Sequence, residues 1–134
     1  MSDRIKKAVE KHQKGFSCSQ SVVCSYCDLF GIDEETAYRV SEGFGQGMGH
    51  KGTCGAVTAM AILAGMKNSD GNTAQPGGTK KETVPTVKEM SDRFLEKNKS
   101  IICAELLGET GGPVLRSCDG CVEDAAKIVE EILL

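Results

Sequence analysis

Residues 54–66 (CGAVTAMAILAGM) are apolar or small at almost every position, and this run constrains the fold more than any other segment. A helix without a polar face is buried on all sides, so we expect the run to form the middle of a helical bundle. No segment alternates apolar and polar residues as a strand does, whereas the flanking segments show helical spacing. The sequence therefore predicts an all-α, compact bundle of about five to seven helices around the helix 54–66. With 134 residues it should form a single domain, 1–134.

Capping residues and turn formers indicate where the helices begin. Ser17 opens a Ser-Cys-Ser-Gln capping box, which predicts the first turn of a second helix. Thr53 is predicted to cap the central helix, and Pro85 is predicted to occupy the first position of a later helix. The last helix is expected to begin near Asp119.

The composition argues against nucleic-acid and membrane partners. Sixteen Lys and Arg against nineteen Asp and Glu give a net charge of −3 without a basic block, so phosphate-backbone binding is not expected. With Phe 4, Tyr 2 and Trp 0, the chain lacks the aromatic side chains on which single-strand binders stack bases. The N-terminus is charged without an apolar stretch behind it, and the longest apolar run, 56–66, is about half a membrane span. We therefore expect a cytoplasmic protein without a membrane span.

Seven cysteines are unusual in such a chain. In a reducing compartment, an odd number argues against a disulfide framework and for metal, redox or catalytic chemistry. Cys18, Cys54 and Cys118 fall at or just before predicted helix starts, where free amide groups and the helix dipole favour a thiolate. Cys54 is the strongest candidate, because the glycine-rich loop before it offers further amide groups. The alternative is that the cysteines are small hydrophobic side chains of the core.

Two Cys-x-x-Cys pairs, Cys24/Cys27 and Cys118/Cys121, resemble halves of a zinc or iron–sulfur site. About ninety residues separate the pairs, whereas the halves of a zinc knuckle are only about fifteen to twenty residues apart. Neither pair is followed by histidine, which excludes attachment of c-type haem. Helical spacing places Cys24 on the outer side of its helix, so we expect it to be exposed. The sequence assigns no role to Cys24, Cys27 or Cys121.

The loop 43–52 contains five glycines and cannot form a regular element. Gly47, Gly49 and Gly52 match the letters of a dinucleotide-binding fingerprint directly before a helix. The strand that such a site needs in front of it is missing, so a Rossmann fold is not predicted. The three glycines stay candidates for contact with a flavin or another anionic cofactor. The simpler alternative is that they allow backbone segments to approach closely.

Histidine is both a base near neutral pH and a metal ligand, and the chain contains two of them. His50 lies four residues before Cys54 and is a candidate base or ligand for that thiol. His12 falls on the apolar stripe of the first helix, so we expect it to be half-buried there.

Several motifs resemble the C_GCAxxG_C_C family of redox-active proteins: GFSCSQSV at 15–22, GFGQGMGHKGTCGAVTA at 43–59, CAELLG at 103–108 and CDGCVEDAA at 118–126. The resemblance implies that the four family cysteines are Cys18, Cys54, Cys103 and Cys118. Ala59 stands where the family has glycine, which adds one Cβ to a close helix contact and leaves the thiols unchanged. The resemblance extends to the split-Soret cytochromes c, in which a related segment accompanies haem and an iron–sulfur centre.

The helix-start cysteines and the resemblance together predict a small redox-active protein, either a thiol–disulfide oxidoreductase or an electron carrier. In thiol exchange Cys54 would attack, and Cys18 is the other candidate catalytic thiol. In electron transfer the four family cysteines would hold an iron–sulfur cluster, and as an alternative the same four would hold structural zinc. A helical interaction module with inert, buried cysteines is the third alternative. Electrons would pass to a redox partner protein, and the small residues of the helix 54–66 would also suit a homodimer.

Overall fold

A computed structural model describes residues 2–134, in which seven α-helices form most of the regular structure. The helices are α1 Asp3–Gln13, α2 Cys18–Tyr26, α3 Glu34–Glu42, α4 Gly55–Asn68, α5 Lys80–Asn98, α6 Cys103–Leu106 and α7 Cys118–Leu133. A 3-10 turn covers Cys27–Phe30, and an irregular turn covers Gly47–Lys51. Within residues 2–134 the extended pairing is limited to an isolated bridge between Thr53 and Ile102. The predicted all-α fold is confirmed.

Helices α2 and α4 share the centre of the bundle. α2 packs against α1, α3, α4 and α7, and each of its residues from Ser19 to Tyr26 is buried. Its serine hydroxyls donate to backbone carbonyls, as Ser25 does to Ser21 at 2.7 Å, so polar residues can be buried there without unpaired groups. α4 packs against α2, α5 and α7, as expected for the apolar run 54–66. Neither α4 nor any other helix in residues 2–134 is long and apolar enough to cross a membrane.

The prediction that Cys24 is exposed is wrong. Cys24 is only 5% exposed, and its Sγ lies 3.9 Å from the carbonyl oxygen of Glu34. The start of α3 therefore covers the side of α2 that helical spacing had placed outside. Spacing within one helix cannot reveal such a cover, because it depends on how the following segment folds back.

The structure confirms one of the predicted helix starts and corrects two others. Ser17 caps α2 with the expected capping box, in which its side chain accepts from the Gln20 amide. Thr53 does not cap α4, because it is paired with Ile102 and the N-cap falls one residue later. Pro85 lies inside α5 and not at its first position. The helix extends upstream of Pro85 along an exposed edge, where solvent can satisfy the carbonyl group that the proline leaves without an amide donor.

Two close backbone contacts fix the start of α4. The amide of Cys54 donates to the carbonyl of Ile101 at 2.7 Å, and the amide of Cys103 donates to the carbonyl of Gly52 at 2.6 Å. These bonds hold the start of α4 beside the start of α6. On its other side, Gly55 packs directly on the first turn of α2: a Cβ there would lie 3.2 Å from the amide nitrogen of Ser19.

A buried carboxylate holds α7 in place. Asp124 is 1% exposed and accepts hydrogen bonds from Lys97, from Asn98 at 3.2 Å and from Arg116 Nε at 3.0 Å. Burial by itself raises the pKa of this carboxyl group, but the three donors hold it below its usual range. Arg116 directly precedes Ser117, whose hydroxyl caps α7, so the network also fixes the N-terminus of that helix.

The contact at Gly55 predicts opposite effects for two glycine substitutions in α4. In Gly55→Ala the new methyl group would press on the backbone of residues 19 and 44, and we expect a loss of about 1–3 kcal/mol in the free energy of unfolding. A Cβ added at Gly65 would have no neighbouring atom within 4 Å, so Gly65→Ala should gain about 0.5–1 kcal/mol from helix propensity. Urea unfolding of the two variants measures the difference. Equal stability of both would show that α2 and α4 are not in close contact at this point.

Candidate functional site

A cleft of about 670 Å³ opens where the starts of α2, α4, α6 and α7 meet. Its lining contains five of the seven cysteines: Cys18, Cys54, Cys103, Cys118 and Cys121. Three of them are the first residues of α2, α6 and α7, and a fourth is the N-cap of α4. All seven cysteines are free thiols. The cleft therefore gathers thiols from four separate segments of the chain.

The structure places each of the four cysteines of the predicted metal set, Cys18, Cys54, Cys103 and Cys118, in the lining of this cleft. Cys121, to which the sequence assigned no role, lines it as well. It lies one turn into α7, three residues after the first cysteine of that helix, so both can face the same side. Cys24 and Cys27 are buried in the core, where they act as small hydrophobic side chains.

Cys54 and Cys121 form the inner thiol pair of the cleft. The neighbouring thiol of Cys121 is the main reason that the pKa of Cys54 is lowered, and its effect outweighs burial, which acts in the opposite direction. The backbone amides of Ala56 and Val57 add to the effect. These amides belong to the first turn of α4, downstream of Cys54, and not to the glycine-rich loop from which the sequence predicted them. The proximity of Cys54, together with burial, raises the pKa of Cys121 above its usual value.

Cys18 and Cys118 form the outer pair, and both are half-buried. The neighbouring thiol of Cys18 is the main reason that the pKa of Cys118 is lowered to about 6, against the opposing effect of burial, and the positive charge of Lys51 contributes. The pKa of Cys18 is raised by the neighbouring Cys118 and by burial. In each pair, therefore, the pKa of one thiol is lowered and that of its partner is raised.

His12 is a site residue that sequence reasoning missed. It is half-buried, as expected, but its Nε2 lies 3.6 Å from the Sγ of Cys18, and its Nδ1 is hydrogen-bonded to the carboxylate of Asp119. The amide group of Gln13 donates to the other oxygen of Asp119 at 3.3 Å. Nothing in the local sequence of α1 indicates this role, because it arises from α1 packing against α2 and α7.

One nitrogen and two sulfur atoms lie together at the outer end of the cleft. The ligand atoms of His12, Cys18 and Cys118 are all within 4.8 Å of one another. Among residues 2–134 this is the one group of three or more histidine, cysteine or carboxylate side chains with that spacing. Imidazole and thiolate are the ligands that soft divalent metals prefer, so the group is able to hold a metal ion.

Cys103 stands apart from both pairs. It is 9% exposed, and burial raises the pKa of its thiol, while the positive charge of Lys51 acts in the opposite direction. Lys51 also lines the cleft, and its ammonium group lies 3.5 Å from the carboxylate of Glu109. Cys103 therefore has neither a thiol partner nor a lowered pKa, unlike Cys54 and Cys118.

The glycines that were candidates for cofactor binding are placed differently from one another. Gly47 lines the cleft and has a φ of +60°, and a Cβ there would lie 2.5 Å from the amide nitrogen of Gly52. Gly49 is exposed, outside the lining. A Cβ on Gly52 would meet the ring of His50, which is exposed and outside the cleft lining as well. The loop therefore uses Gly47 and Gly52 to close on itself, which is the simpler of the two interpretations of this segment.

Comparison with known proteins assigns the chain to a family. Residues 16–132 match the family model described as "Putative redox-active protein (C_GCAxxG_C_C)". The chain belongs to this family. No curated protein and no solved structure matches the chain. The matched range contains all five cysteines of the cleft but begins after His12.

The outer pair predicts how Cys118 should titrate. Replacing Cys18 with alanine removes the neighbouring thiol, so the pKa of Cys118 should rise from about 6 toward the ordinary value of 9.0. The rate of alkylation against pH, read by mass spectrometry of the Cys118 peptide, measures the shift. Cys24→Ala is the matched control, since it removes a buried thiol outside the cleft and should leave the Cys118 profile unchanged. An unshifted profile in Cys18→Ala would mean that the two sulfur atoms are not partners.

Proposed function

We propose that this chain is a thiol–disulfide oxidoreductase in which Cys54 attacks and Cys121 resolves. The inner pair supports the proposal, since Cys54 and Cys121 line the same cleft and the neighbouring thiol of Cys121 lowers the pKa of Cys54. The redox-active family to which the chain belongs supports the same chemistry. Cys18, the other thiol predicted to be catalytic, belongs to the outer pair.

The reaction follows from the polarity of the inner pair. The Cys54 thiolate attacks one sulfur of a disulfide substrate, a mixed disulfide forms, and the first substrate thiolate leaves and takes up a proton. Cys121 then loses its proton and attacks the Cys54 sulfur, so that the second substrate thiol leaves and a Cys54–Cys121 disulfide remains. The substrate gains two electrons and the protein loses two. The dithiol of a small molecule, or of a flexible segment of a redox partner protein, restores the reduced pair.

The cleft limits which disulfides reach the inner pair. Cys54 and Cys121 are 4% and 2% exposed, so a substrate must enter the cleft to touch them. A volume of about 670 Å³ is in the range of small-molecule sites and too small for a folded domain. The substrate is therefore a small disulfide, or a disulfide on a flexible peptide.

Exchange with a small aromatic disulfide that releases a coloured thiol tests the proposal. In the variant with Cys18→Ala and Cys118→Ala, the inner pair should release two coloured thiols and carry no adduct by mass spectrometry. Adding Cys121→Ala should trap the adduct on Cys54 with one thiol released. Adding Cys54→Ala instead should slow the reaction roughly ten-fold or more, because thiols with a raised pKa supply little thiolate.

Cys27→Ala in the same background is the matched control and should behave like its parent, because Cys27 lies outside the cleft. The proposal fails if Cys54→Ala reacts at the parental rate. It also fails if the adduct on Cys54 does not persist without Cys121.

An iron–sulfur cluster on Cys18, Cys54, Cys103 and Cys118 is the second candidate. It is favoured by the arrangement of all four thiols around one cleft, at the starts of four helices. The donor set fits, because four thiolates are the usual ligands of such clusters and the helix starts stabilise their charge. The cluster would supply one-electron transfer, whereas zinc in the same four thiolates would be structural and inert to redox change.

Anaerobic purification separates these candidates. A cluster predicts a coloured protein with stoichiometric iron and sulfide, both of which should be lost in Cys103→Ala. Structural zinc predicts a colourless protein with one zinc per chain that also depends on Cys103. A colourless chain free of both metals would contradict the cluster and the structural zinc site alike.

A further inference from the structure

The outer end of the cleft contains a set of donor atoms that differs from the four family cysteines. Its members come from three helices: His12 from the last turn of α1, Cys18 from the start of α2 and Cys118 from the start of α7. Neither Cys54 nor Cys103 belongs to this group, although both line the same cleft. We propose that His12, Cys18 and Cys118 bind one divalent metal ion of the zinc class, with Asp119 holding the imidazole in place.

The distances fit a tetrahedral site. Zinc binds sulfur at about 2.3 Å and imidazole nitrogen at about 2.0–2.1 Å, which sets neighbouring sulfur and nitrogen ligands about 3.6 Å apart and two sulfur ligands about 3.8 Å apart. The observed separation of Cys18 Sγ and His12 Nε2 is 3.6 Å. The third ligand atom, Cys118 Sγ, lies within 4.8 Å of both. The three atoms therefore need to move little to share one ion.

The imidazole is oriented as in a metal site. A carboxylate only accepts hydrogen bonds, so the bond to Asp119 uses the N–H on Nδ1 of His12, and Nε2, which faces Cys18, is the atom that would bind a metal ion. Gln13 holds the second oxygen of Asp119 and so fixes the carboxylate. Metal-binding histidines almost always donate their other ring N–H to such a partner.

Access and charge also suit a bound ion. The side chain of His12 is 20% exposed, and Cys18 and Cys118 are half-buried in the cleft lining, so an ion can enter from solvent. The ammonium group of Lys51 also lines the cleft. It is paired with the carboxylate of Glu109, so it does not need to form an ion pair with Cys18 or Cys118. Three protein ligands leave the fourth position open to the cleft, as in zinc sites that bind water or a substrate.

This site does not rest on the proposed exchange reaction, because it leaves the inner pair of Cys54 and Cys121 free. The metal site and the exchange reaction can therefore be refuted separately. Thiol release tests the inner pair, and metal binding tests the group of His12, Cys18 and Cys118. The site also differs from the four-cysteine alternatives, since it needs His12 and does not need Cys103.

Cobalt(II) is the probe, added without oxygen to the reduced full-length chain. We expect one ion per chain, with strong visible bands typical of tetrahedral thiolate ligation, and displacement by zinc. Cys18→Ala and Cys118→Ala should each abolish these bands, and His12→Ala should shift or abolish them. Cys103→Ala, the matched control, should keep both the spectrum and the affinity.

Asp119→Asn gives a second readout that does not remove a ligand. It should weaken cobalt binding about 10- to 100-fold while leaving the thiols and the helical circular dichroism unchanged. Asp28→Asn is the control, because this carboxylate is paired with Arg4 and is distant in sequence from Asp119. It should bind cobalt like the parent. Saturable binding that is lost in Cys103→Ala, or retained unchanged in His12→Ala, would overturn the proposal, as would the absence of saturable binding by the parent.

Discussion

The contact between the first turns of α2 and α4 is the constraint on which the cleft depends. Gly55 lets the two helices meet backbone to backbone, and the bridge between Thr53 and Ile102 ties α6 to the same point. Because Cys18 and Cys54 lie at the two helix starts, the contact also sets where their thiols lie. A bulkier residue at position 55 would therefore alter both the stability of the bundle and the shape of the site.

The charge on the thiols follows from the same geometry. Helix starts present free amide groups, which stabilise a thiolate, and burial raises the free energy of every charge that is not paired. In each pair of the cleft the pKa of one thiol is lowered and that of its neighbour is raised, Cys54 against Cys121 and Cys118 against Cys18. The inner pair is enclosed and suits exchange with small disulfides, whereas the outer pair has a histidine beside it and suits a metal ion.

Local signals in the sequence predicted what depends on local structure. The apolar run 54–66 and the capping box at Ser17 predicted α4 and α2, and the cysteines at helix starts, together with the family resemblance, predicted four residues of the cleft lining. The burial of Cys24 and the role of His12 depend on how α3 and α1 fold back on α2, which no spacing within one helix can show. The position of Cys121 in the cleft does not follow from the sequence, because a Cys-x-x-Cys pair inside a helix can turn one thiol or both toward a site.

Thiols that are far apart in sequence are neighbours in the folded chain. A trivalent arsenical bridges two thiols only where they already lie side by side, so peptide mapping after brief reaction with the reduced protein tests the claim directly. Bridges should join Cys18 to Cys118 and Cys54 to Cys121, which cleavage before Asp119 places on separate peptides. If no bridge joins these peptides in the folded protein, the cysteines do not converge and the account of the cleft is wrong.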